Sequence, residues 1–74
     1  MENYSLTKRM EEWLARVYTT AAANHRSVAN NCHLWALGSQ TNREATYFEQ
    51  AADEHREFAR ILEAMAKELE MEDE

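Results

Sequence analysis

The chain has 74 residues, 45% hydrophobic and 30% charged, with one glycine, no proline, one cysteine and a net charge of −6. So few turn formers exclude a β-sandwich, a barrel or a loop-built scaffold, which need a turn about every ten residues, and a single cysteine excludes a disulfide framework within the chain. No apolar run approaches the roughly 20 residues that cross a bilayer, and the charged opening with Lys8, Arg9, Glu11 and Glu12 is not the plan of a signal peptide, so the expectation is a soluble, cytoplasmic, all-α chain forming one domain over 1–74.

The first helix is expected over about 5–37. Asn3 or Ser5 can cap it ahead of Leu6, because a short side-chain oxygen can accept from the unpaired N–H groups of a first turn. A turn follows at 38–40, where Gly38 can take the left-handed conformation that ends a helix. Thr41 with Glu44 three residues later reads as a capping box, opening a second helix over about 41–70. A connection this short folds the two helices antiparallel. The last residues, 71–74, read as an acidic frayed tail. Charge is divided between the halves: residues 1–38 hold four basic and three acidic side chains, residues 39–74 four basic and eleven acidic. An acidic surface of this kind repels phosphate backbones, so nucleic acid is a disfavoured partner, and mimicry of nucleic acid is the sharper reading of the same charge.

The strongest pattern is an alanine every seventh residue in both helices: Ala15, Ala22, Ala29 and Ala36, then Ala45, Ala52, Ala59 and Ala66. Strict sevens keep a side chain on one line of a supercoiled helix. Folding the hairpin at its turn matches Ala36 with Ala45, Ala29 with Ala52, Ala22 with Ala59 and Ala15 with Ala66 in a single register. Alanine at the seam lets the helix axes approach to about 8 Å.

That register predicts the layers beside the seam. On one side come Tyr18 with Leu62, His25 with His55, and Cys32 with Phe48, and beyond them Leu14 with Met65, Ala21 with Phe58, Val28 with Ala51, and Trp35 near Glu44. The other side is polar, with Glu12, Arg16, Arg26, His33, Glu49, Asp53, Arg56, Arg60, Glu63 and Lys67. Each helix is thus apolar over an arc wider than one partner helix covers, and a chain this short rarely stabilises itself on a single small core. The expected architecture is therefore an antiparallel two-helix hairpin with an alanine heptad seam, dimerising into a four-helix bundle. Leu14, Tyr18, Val28, Cys32, Trp35, Phe48, Phe58 and Leu62 form its core and dimer face.

Candidate chemistry is sparse. His25 and His55 share an inward layer, and imidazoles in a bundle core can bind zinc, copper or haem iron. The plainer reading is a hydrogen-bonded pair, since the Glu-x-x-His spacing of di-metal bundles is missing. Cys32 sits on a packed face and reads as a small core residue rather than an activated thiolate. No phosphate loop, nucleophile elbow or paired carboxylate is present, so neither an enzyme nor a resident cofactor is expected. Arg26 and Arg56 fall opposite each other in the register, with Arg16 and Arg60 on the same side. On the alanine heptads, the outline resembles the plasmid Rop family, dimers of antiparallel hairpins that bind paired RNA loops through one bundle face. The resemblance implies an RNA-binding dimer but carries over no individual residue, and the acidic residues interleaved on that face read as ion pairs.

What remains is recognition of another protein. Met10, Trp13, Val17, Ile61 and Met65, with Arg9 and Arg16 as a charged rim, form an apolar patch at the open end of the hairpin. Trp, Met and Arg are enriched where proteins meet. The functional expectation is a small homodimeric adaptor or inhibitor of phage or plasmid type, acting by occluding a host protein. A metal- or haem-binding bundle centred on His25 and His55 is the alternative.

Overall fold

A computed structural model describes residues 2–71, and the side chains of 6–70. It is an all-helical hairpin in which α1, Glu2–Leu37, packs along α2, Asn42–Met71. Asn3 and Ser5 lie within α1 rather than ahead of it, so the helix begins before either expected cap position. The expected tail divides: Met71 ends α2, and 72–74 lie outside the described residues. The hairpin is a rod of 61 × 14 × 11 Å with a radius of gyration of 17.1 Å, against about 11 Å for a compact domain of this length.

The turn differs from expectation in two respects, at Gly38 and in the capping box. No described residue, Gly38 included, has a positive φ. The end of α1 is closed instead by tightening. The Gly38 N–H is shared between the carbonyls of Leu34 and Trp35, both at 3.2 Å, and the Ser39 N–H donates to Ala36 at 3.2 Å. The Ser39 hydroxyl adds a bond to the Trp35 carbonyl at 2.9 Å. These bonds satisfy last-turn carbonyls that a left-handed glycine otherwise serves. At the start of α2 the Glu44 N–H donates to Thr41 Oγ1 at 3.1 Å. The reciprocal arm is displaced by one residue, with Glu44 Oε1 accepting from Gln40 N–H at 3.4 Å.

The alanine seam holds along the hairpin. Ala15, Ala22, Ala29, Ala36, Ala52, Ala59 and Ala66 are each between 0% and 7% exposed, and with Cys32 they are the whole buried core among the described residues. Ala45, beside the turn, is half-buried. Cys32 packs with Ala29, Ala52 and Ala51, in the place expected of it. Among the described residues no large side chain is fully buried. The core is therefore thin, and one face of the hairpin is left uncovered.

Candidate interaction surface

Seen from the seam, the hairpin has two unlike faces. The polar face ties the helices together through charge. Arg26 makes a fork to Glu63, Nε to Oε2 at 2.9 Å and Nη2 to Oε1 at 2.7 Å. This contact holds the Glu63 carboxyl below the usual carboxylate range, chiefly through the hydrogen bond, and raises the Arg26 guanidinium further. His33 Nδ1 lies 3.2 Å from Glu49 Oε1. Arg56 pairs with Asp53 at 3.1 Å, and Arg60 with Glu57, within α2. Arg26, expected across from Arg56, thus reaches a carboxylate about two turns further along α2. A guanidinium on three methylenes seeks the bidentate partner, not the residue level with it. Arg26, Arg56 and Arg60 share a shallow hollow with Asp53 and Glu57. Each is neutralised by a carboxylate, an arrangement poorly suited to attracting phosphate.

The opposite face is apolar. Next to the seam lie Tyr18, Cys32, Phe48 and Leu62, all buried or half-buried. Further out, Val28, Trp35, Phe58, Ile61 and Met65 are exposed. Leu14 is half-buried. Aromatic edges lock part of this face: Trp35 meets Phe48 at 5.7 Å between ring centroids, and Phe48 meets Tyr47 at 5.5 Å. Between these groups sit the two histidines, where the alanine register placed them. Their Nδ1 atoms are 2.8 Å apart and their rings stack at 5.1 Å and 27°. Two nitrogens make an incomplete metal site, since zinc takes four ligands, and at 2.8 Å they are closer than the roughly 3.3 Å kept by two nitrogens on one tetrahedral zinc. Among the described residues no three His, Cys, Asp or Glu side chains gather in one place.

The open-end patch is brought together only in part. Arg9, Met10, Trp13 and Arg16, with Leu6 and Glu12, line one shallow groove on α1. Trp13, Arg16 and Val17 continue into a second with Thr20, Ala21 and Asn24. Ile61 and Met65 line neither and belong to α2's share of the apolar face. Met10 is 64% exposed and Trp13 55%. Trp13 stands two residues before Ala15, roughly 160° round the helix from the seam at about 100° per residue. Leu34, Leu37 and Tyr47 near the turn are equally exposed and were not anticipated as surface. Leu34 was readable, falling three heptads after Trp13 on the same row.

Fold and surface together define a class: a helical hairpin with a small-residue seam, one ion-paired face and one uncovered apolar face. No described helix is long and apolar enough to cross a membrane. Compared with protein-family models, characterised proteins and solved structures, the chain matches none.

Proposed function

We propose that the chain is a homodimeric protein-binding module, a four-helix bundle that acts by occluding a partner protein and carries no catalysis of its own. The observation that carries this reading is surface area. A compact chain of 8.7 kDa is expected to expose about 4,700 Å². This one exposes 5967 Å². Covering an excess of roughly 1,200 Å² on each of two copies buries about 2,400 Å², within the range of obligate homodimers. The exposed Val28, Trp35, Phe58, Ile61 and Met65 of the apolar face are the side chains such a contact would cover. Leu14, Val28 and Trp35 each precede a seam alanine by one residue, roughly 100° round the helix, which is where a bundle places its second neighbour.

Leu6, Met10, Trp13 and Val17 lie further round, at roughly 140–180° from Ala15. Neither the hairpin nor the second copy covers them, and they form a stripe flanked by Arg9 and Arg16. A large aromatic anchor with a methionine and an arginine rim fits a site for another protein. Sedimentation and partner capture on one Trp13→Ala sample test both parts. The expected result is an intact dimer of twice 8.7 kDa whose partner binding falls by about 2 kcal/mol or more. A Trp13→Ala variant that loses its dimer would assign Trp13 to the self-interface instead.

A further inference from the structure

A hydrogen bond between two Nδ1 atoms 2.8 Å apart holds one proton, so one of His25 and His55 donates from Nδ1 and the other accepts there. A neutral imidazole has one N–H and one lone pair. The donor ring is therefore left with a lone pair on Nε2, and the acceptor ring with an Nε2–H. The Nδ1 contact is the only hydrogen bond of either ring among the described residues, and both rings are half-buried. Nε2 is the nitrogen farther from the backbone, and both residues border the apolar face. Phe58, exposed on that face, meets both rings edge-on at 5.4 and 5.8 Å. Whatever covers the face must offer one acceptor and one donor here, or bury two nitrogens without partners.

We propose that the cover is a second copy of this chain, whose own histidine pair closes a cycle of four neutral imidazoles across the twofold axis. Two Nδ1–H···Nδ1 bonds lie within the copies and two Nε2–H···Nε2 bonds lie between them. Four protons fill four contacts, and no donor or acceptor is left over. The inference rests on the dimer reading above. The axis position follows from the extent of the apolar face, Leu14 to Trp35 on α1 and Phe48 to Leu69 on α2. The middle falls near Asn24 and Phe58, with His25 beside it and His55 one turn away. A twofold that overlaps the whole face with its copy passes through that middle. An apolar helix from another protein satisfies neither nitrogen, a carboxylate offers acceptors alone and an ammonium donors alone, while a hydroxyl or amide meets both only if a partner happens to place one here. A second copy offers one of each by symmetry.

The cycle also sets register. Sliding one copy by a turn, about 5.4 Å, separates the pairs, much as one buried polar residue fixes the alignment of a coiled coil. A fifth proton finds no lone pair within the cycle, so acid opens it. The flanking titratable groups on the same row are Tyr18 and Cys32 on α1. On α2 the equivalent positions are Phe48 and Leu62.

The test uses the full chain after treatment with EDTA. Nitrogen-15 NMR of the dimer should find the pair sharing one proton at Nδ1 and one at Nε2. Sedimentation should find a dimer that dissociates on acidification from pH 8 to 5, and a Kd raised about 30-fold in His55→Ala for two lost hydrogen bonds per dimer. The double variant His25→Leu with His55→Phe should dimerise and lose the acid response. Both rings protonated only at Nε2, an unchanged Kd in His55→Ala, or an acid response kept by the double variant overturns the cycle and leaves the dimer standing. Zinc retained through EDTA at one per dimer likewise overturns it, by putting a metal in place of the protons. A wild-type chain that is monomeric throughout overturns the dimer reading itself.

Discussion

Gly38 occupies the helix end that sequence logic reserves for a left-handed residue, yet its φ is not positive. A Cβ built there meets only the carbonyl oxygens of Leu34 at 3.8 Å and Trp35 at 3.9 Å, which is ordinary contact. Gly38→Ala is therefore expected to stabilise the fold by about 0.4–1 kcal/mol, because alanine restricts the unfolded chain. A thermal melt checks this, and a clear loss of stability would mean that the turn needs glycine's freedom. Glu63 gives a second prediction at the same scale. Its carboxyl is held low by Arg26, so the pair supports the folded state above the ordinary carboxylate range. That support is lost as pH falls through the lowered value. Between about pH 5 and pH 2, wild type should lose urea resistance more steeply than Glu63→Gln. The difference will be small, because the pair is solvated. Parallel curves for the two proteins would show that the pair adds nothing.

At the scale of the helices, the alanine seam decides how close they lie. Ala29 is 1% exposed and Ala52 0%, and both pack with Cys32 in the central cluster. A leucine at either position has no space without parting the helices, and overpacking of this kind costs about 1–3 kcal/mol. Ala23 is exposed, so Ala23→Leu should leave the melting temperature nearly unchanged while Ala29→Leu and Ala52→Leu lower it. Equal melting temperatures for the three variants would contradict the register. The polar face contributes less at this scale. Its Arg26 and Glu63 fork crosses between helices but sits in solvent, where such pairs add little.

At the scale of the whole molecule the ruling fact is a core of seven alanines and one cysteine, among the described residues, under a rod 61 Å long. Small side chains allow close approach but bury little apolar area per residue. A dimer formed through the apolar face should therefore melt cooperatively, at a temperature that rises with protein concentration. Phe58→Asp places a charge in the middle of that face and should dissociate the dimer, since a charge buried without a partner is strongly unfavourable. A dimer mass unchanged by Phe58→Asp would move the interface elsewhere.

Sequence by itself determined the helical hairpin, its antiparallel register and the His25–His55 layer, because a seven-residue repeat in both helices is a long-range constraint written in local spacing. The same repeat placed Cys32 in the core and Trp13 away from it. Tertiary structure decided what spacing does not encode. Long side chains chose partners by reach rather than by level, so Arg26 found Glu63. The last turn of α1 tightened onto Leu34 and Trp35, so Gly38 kept an ordinary φ. The open-end patch split between helices, because Met65, one residue before Ala66, turns toward the broad apolar face while Trp13 turns away from it. Periodicity states which residues share a line on a helix. Only packing shows how much of each line two helices leave uncovered.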